Sequence, residues 1–171
     1  MGMYSIVEPN QKILDSLKDS KTALIVGCTN CANISVGHDK NLPIYHISTD
    51  EKTGIKSSKP VAIVEEAKRL QRILKTHGVK ADIEVNPSYC SPWTDQTELL
   101  GPLGYPPDLK DRGVDAVVAL TCSEGLKGVN KRVKGGVNVV WGMRTVGGHE
   151  PVLRFDAASG DVFVDEAKSK F

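Results

Sequence analysis

Four short apolar runs recur along the chain: residues 22–27 (TALIVG), 81–85 (ADIEV), 114–120 (VDAVVAL) and 137–141 (VNVVW). Their regular interruption by helical patterns is the strongest constraint on the fold. Runs that lose polar alternation suit strands covered on both faces, as in a parallel sheet. Strands alternating with helices imply a mostly parallel sheet with right-handed crossovers. Residues 61–77 are the clearest helix, because Ile63, Ala67, Leu70, Ile73 and Leu74 recur at helical spacing and Gly78 follows as a C-cap residue. A shorter amphipathic helix is predicted over 9–20 from Ile13, Leu14 and Leu17, and residues 123–134 read as helical in part, weakened by Gly125 and Gly128.

The expected fold is α/β: a Rossmann-like three-layer sandwich around about four mostly parallel strands, as one domain over residues 1–171. Two additions are expected. Residues 33–60 are polar, with a strand-like piece at 42–47 and a turn-rich stretch at 49–54, which reads as a β-hairpin or ordered loop near 37–58, inserted between the first strand and its helix. The runs 151–155 and 162–164 flank a DAASGD turn and predict a C-terminal hairpin. Prolines at 87, 92, 102, 106 and 107 make 86–112 a long loop, apart from a short helix over 94–100, and long ordered loops tend to be functional. Within it, Trp93 and Tyr105 read as loop anchors or as an apolar lid.

The cysteines fall on this frame in a pattern. Cys28 ends the first apolar run, Cys31 follows at C-x2-C spacing, Cys90 lies after the second run, and Cys122 follows the third. Loops after parallel strands converge on one sheet edge, where ligands bind. The four thiolates are soft ligands that together suit zinc or an iron–sulfur cluster. One C-x2-C knuckle with two single cysteines, in a domain able to build a core without metal, leans toward [4Fe–4S] over Zn2+. Small residues around the set, Gly27, Thr29, Asn30, Ala32, Ser123 and Gly125, leave backbone N–H groups free to approach cluster sulfurs, and Gly27 and Gly125 are the candidate cofactor-contacting positions. Two rival readings stand beside this one. Free cysteines are often simply buried and inert, and Cys28 with Cys31 could form a dithiol redox pair after a strand. His38, His46 and His149 read first as loop histidines, each a possible fourth ligand if one cysteine is unused, and His77 reads as a last-turn helix residue.

Composition narrows the function classes. Net charge is +1, so no basic field argues for nucleic acid, and aromatics at 5% offer no stacking platform. No run approaches a membrane span and the first residues lack a secretory pattern, so a cytoplasmic protein with reduced thiols is expected. There is no G-x-G-x-x-G, P-loop, G-x-S-x-G or H-E-x-x-H, which disfavours a self-contained nucleotide enzyme.

The segment Ile25-Val-Gly-Cys-Thr-Asn-Cys-Ala-Asn-Ile-Ser35 resembles the cysteine-bearing opening of the C-terminal domain of methylenetetrahydrofolate reductases, a domain that also occurs as a separate small subunit. Residues 65–78 resemble that family's first crossover helix, Cys90 falls where it has a cysteine, and Asp115-Ala-Val-Val-Ala-Leu-Thr-Cys-Ser-Glu-Gly125 and residues 139–148 follow in order as a strand with its cysteine turn and a final strand with a glycine-ended loop. The resemblance covers roughly residues 10–148. It implies zinc or iron–sulfur held by Cys28, Cys31, Cys90 and Cys122, beside a flavin-containing reductase subunit as partner. It implies a non-catalytic subunit of an oxidoreductase complex rather than an enzyme in its own right. Ser35 stands where the family usually has a third clustered cysteine, and residues 37–58 look like an insertion.

Overall fold

The computed structural model describes residues 2–91, 108–133 and 136–171. Among them the elements run β1 (Gly2–Val7), α1 (Asn10–Ser16), β2 (Thr22–Cys28), α2 (Cys31–Lys40), β3 (Tyr45–Thr49), β4 (Lys56–Pro60), α3 (Ala62–Thr76), β5 (Lys80–Asn86), β6 (Ala116–Leu120), α4 (Ser123–Arg132), β7 (Asn138–Trp141), β8 (Met143–His149), β9 (Leu153–Asp156) and β10 (Asp161–Val164). The four apolar runs become β2, β5, β6 and β7, which form a parallel sheet in the order β5-β2-β6-β7. Two antiparallel sheets flank it among the described residues, β1-β8 and β4-β3-β10-β9.

Burial explains why the parallel strands are so apolar. Every β6 residue is buried, as are Ala23 to Cys28 of β2. α3 lays Ile63, Ala67, Leu70 and Leu74 into the core, the isoleucine and the two leucines each worth roughly 1.5–3 kcal/mol relative to exposure. Gly27 lets α3 approach β2, since a Cβ there would meet the Ile63 side chain at 3.1 Å.

The sheet order carries a topological fact. The chain leaves β2 for β5 on one side and then places β6 and β7 on the other. The order therefore reverses between β2 and β6, and a crevice opens at such a point outside the carboxyl ends of the strands.

Elsewhere the structure corrects the sequence expectations. The segment expected to be hairpin or loop from residue 37 begins inside α2, which runs on to Lys40, and the hairpin occupies β3 and β4. Its turn is set by Asp50, whose Oδ1 accepts from the N–H groups of Lys52 and Thr53 at 3.0 and 2.7 Å. The C-terminal hairpin forms as β9 and β10, but it is not separate: β10 pairs with β3, joining both hairpins in one sheet. Residues 139–148, expected as a final strand with a glycine-ended loop, form most of β7 and β8, and residues 2–7 are the partner β1 of β8. The chain leaves β7 for β8 at Gly142, where a Cβ would lie 2.8 Å from the Leu120 side chain and 3.0 Å from the Ala119 carbonyl. A side chain there would have to push both neighbours back. The short helix over 94–100, Trp93, Tyr105 and Lys134 lie outside the described residues. No helix among the described residues is long and apolar enough to cross a membrane.

Candidate metal-thiolate site

Strand register brings the first thiols together. Gly27 sits opposite Leu120 across the β2-β6 pair, so Cys28 and Cys122 leave the sheet beside the crevice. Cys28 is 2% exposed and Cys122 3%. Cys31 is the first residue of α2, and Cys122 stands immediately before α4. The third segment is 86–91. Tyr89 is buried there, and its carbonyl lies so close to Gly128 that a Cβ on that glycine would be 1.7 Å away. Arg132 Nη1 donates to the same carbonyl at 3.0 Å, and the Tyr89 hydroxyl donates to Glu84 Oε1 at 3.0 Å. This pins the segment between β5 and α4 and leaves Cys90 exposed, with its sulfur 3.0 Å from Ser88 Oγ.

Each of the inner thiols faces backbone N–H groups. Cys28 receives those of Asn30 and Tyr89, Cys31 that of Met3, and Cys122 that of Gly125. Such donors stabilise thiolate, the metal-binding form. Burial pushes the Cys28 thiol up, and the charges of Cys31 and Cys90 push it further, while the Asn30 and Tyr89 amides pull it back. The thiols of Cys31 and Cys122 face each other. Cys31 is pulled down to about 5, first by the Cys122 thiol, with help from the Met3 amide and from His149, against the effect of burial. Cys122 is pushed up by the Cys31 thiol and by burial. All four sulfurs therefore lie within electrostatic reach of at least one other: Cys28 feels Cys31 and Cys90, and Cys122 feels Cys31 and Cys28.

The cover over this edge is the β1-β8 ribbon. Thr145 Oγ1 of β8 accepts from the Ser123 N–H at the start of α4, at 2.9 Å, and lies 3.0 Å from Ser5 Oγ of β1. Ser35 Oγ accepts from the Ser5 N–H at 3.1 Å and donates to the Cys31 carbonyl at 2.9 Å. Ser35, the position of the missing cysteine, thus stitches α2 to β1. The ribbon also delivers His149, 2% exposed, to the Cys31 side of the site. Phe171 packs on it with ring centroids 5.8 Å apart and stacks on His38 at 3.7 Å, while Tyr4 meets both His38 and Phe171 edge-on.

Of the expected site residues, Cys28, Cys31 and Cys122 gather at the crevice and Cys90 stands at its rim. Gly125 lends its amide to Cys122, whereas Gly27 meets α3. His46 is paired with Asp161 at 2.9 Å and His77 bonds back to the Ile73 carbonyl at 2.9 Å, so neither joins the site. Sequence reasoning missed the cover by β1 and β8, whose signal is visible only as the Gly147-Gly148-His149 end of an otherwise strand-like run. Among the described residues, no three His, Cys, Asp or Glu side chains lie together closely enough to hold a metal ion. The donors nonetheless fit a thiophilic metal in chemistry: soft sulfurs, amides aimed at them, and a covered sheet edge. Compared with protein-family models, curated proteins and solved structures, the chain matches none.

Proposed function

We propose that this chain is a small cytoplasmic metal-binding subunit of an oxidoreductase complex, with Cys28, Cys31, Cys90 and Cys122 holding a [4Fe–4S] cluster, or Zn2+ in a structural or docking role. The observation that supports this best is the gathering of thiols from three separate segments at the point where the sheet order reverses, with backbone amides facing three of them. The partner in this reading is a flavin-containing reductase subunit, similar to the one beside the methylenetetrahydrofolate reductase C-terminal domain. The matching fold is a Rossmann-like three-layer sandwich carrying the antiparallel additions.

A bound cluster supplies one-electron transfer to or from the flavin. The protein's own contribution is positional. α2 presents Cys31 as its first residue and Cys122 stands just ahead of α4, the Asn30, Tyr89, Met3 and Gly125 amides stabilise sulfur charge, and the β1-β8 ribbon brings the Met3 amide and His149 to the Cys31 side. Anaerobic purification with an absorption spectrum and metal analysis tests the reading. Iron and sulfide with a broad visible band support the cluster, and one zinc in a colourless protein supports the alternative. A metal-free protein with intact thiols, unable to take up either metal, overturns both.

The facing thiols of Cys31 and Cys122 favour a second reading, a thiol redox protein. Its pair is Cys31 with Cys122, where the sequence offers Cys28 with Cys31. The Cys31 thiolate attacks a partner disulfide, releasing one partner thiolate. Cys122, after losing its proton, attacks the mixed disulfide and releases the second. Two electrons pass to the partner and a Cys31–Cys122 disulfide remains, which mass mapping after mild oxidation detects.

A further inference from the structure

We propose that β9 is a self-pairing edge: two copies of this chain join antiparallel along it, Phe155 meeting Phe155 of the second copy and Arg154 meeting its Asp156. This goes beyond the metal-binding reading and uses none of its residues.

β9 ends the sheet β4-β3-β10-β9, so among the described residues only β10 pairs with it. An edge strand is a template for another chain unless something guards it. The opposite edge is guarded: β4 reads Lys-Ser-Ser-Lys-Pro, with charge along it and a closing proline. β9 reads Leu-Arg-Phe-Asp, with neither lysine nor proline. Leu153 and Phe155 share one face of it and stay 44% and 53% exposed.

Backbone pairing shows which polar groups face outward. The Asp165 N–H donates to the Val152 carbonyl at 2.8 Å, and the register continues with Arg154 opposite Phe163 and Asp156 opposite Asp161. Antiparallel bonds alternate along a strand. Residues 152, 154 and 156 therefore turn their N–H and C=O groups to β10, and Leu153 and Phe155 turn theirs to the open edge. Pro151, next in that alternation, has no N–H and ends the row of donors.

Charge selects both the register and the occupant. When two such edges join, outward residues must face outward residues, so the possible registers differ in their central residue. Centred on Leu153, Asp156 faces Glu150 of the second copy. Centred on Arg154, the two arginines face each other. Centred on Phe155, each Arg154 faces Asp156 of the other copy, and the two phenylalanines meet on the opposite face. Like charges directly opposite destabilise a strand pair, whereas opposite charges and aromatic pairs stabilise it. The strand is thus complementary to itself, as a two-fold contact requires. Arg154 is already held over the sheet, 5.4 Å from the Phe163 ring centroid. The union joins two four-stranded sheets into one.

The test is sedimentation velocity on the whole chain, with thiols reduced, from about 1 to about 500 µM. Wild type is expected to pass from one chain to two as concentration rises. Arg154→Asp puts like charges opposite each other and should weaken the dimer at least about tenfold. Arg154→Asp combined with Asp156→Arg restores the opposite pairing and should return the affinity to within about threefold of wild type. Circular dichroism checks that each variant folds. Amide hydrogen exchange of the wild type depends on no variant: Leu153 and Phe155 should exchange fast in dilute protein and slowly in concentrated protein, while Arg154 stays protected in both. Wild type that remains one chain throughout overturns the inference. A dimer unchanged by Arg154→Asp, or not recovered by the paired substitution, overturns it as well. Slow exchange of Leu153 and Phe155 in protein that is one chain by mass means that another segment of the chain covers the edge, which also overturns it. None of these outcomes depends on bound metal, so this inference and the proposed function fail separately.

Discussion

The thiol of Cys31, at the first residue of α2, faces the thiol of Cys122, just ahead of α4, across the reversal in sheet order. The first proton leaves this pair easily and the second is held. The Met3 amide and His149 lie on the Cys31 side, so the charge settles there.

In metal-free protein, Cys31 should therefore be alkylated fastest. Its rate should rise as pH climbs through about 5 and be level by neutral pH. Cys28 and Cys122, whose thiols are pushed up, should lag. Replacing Cys122 by serine should move the Cys31 profile toward the ordinary thiol range. Mass spectrometry of peptides after timed iodoacetamide quenching measures all of this.

Gly128→Ala should destabilise the protein, although alanine is the better helix former by about 1 kcal/mol. The new Cβ would fall 1.7 Å from the Tyr89 carbonyl, a backbone atom with no rotamer to change. Segment 86–91 must lift, taking the Tyr89 amide away from Cys28. A net loss of about 1–3 kcal/mol is expected in urea unfolding, with faster alkylation of Cys28.

Thr145→Val keeps the shape of the side chain and removes its oxygen. The Ser123 N–H loses its acceptor and Ser5 Oγ its neighbour. The cost should be about 1–3 kcal/mol. Hydrogen exchange should show faster opening of β1 and β8, and Cys122 should become more reactive, because the ribbon is no longer anchored to α4.

Glu66 links α2 to α3. It is buried, it receives two side-chain bonds from Arg69 Nε and one from Nη2, and it pairs with Lys40. Burial alone would raise its pKa, but Arg69 and then Lys40 more than offset it, so the carboxyl titrates below its ordinary range. A depressed folded value means that this stability is present above the unfolded carboxyl pKa and lost as pH falls through the folded one. Glu66→Gln should cost about 1.5–3 kcal/mol at neutral pH and flatten the acid limb of a stability-against-pH curve. Circular dichroism melts at stepped pH check both.

The parallel sheet was legible because its information is local. The run TALIVG is apolar on both faces, and α3 shows its buried stripe at helical spacing with Gly78 at its end. The β3-β4 hairpin was legible in outline, from its turn residues. α2 was not, because Cys31 to Lys40 has no marked apolar stripe: Asn33, Ser35 and Gly37 are among its buried residues. β1 was not, because residues 2–7 take their strand character from β8, far along the chain.

The sequence by itself determined that four apolar runs must be strands of one sheet, with the two most apolar, β2 and β6, buried on both faces, and that cysteines would follow three of them. Local burial and spacing decide those points. Only the tertiary structure decided the strand order, and hence that Cys28 and Cys122 meet at its reversal. It also placed Cys90 at the rim and brought His149 to Cys31 under a ribbon joined from two segments far apart in sequence, β1 and β8. Pairing between distant segments depends on which edges are left open once the sheet has formed, and no local pattern encodes that.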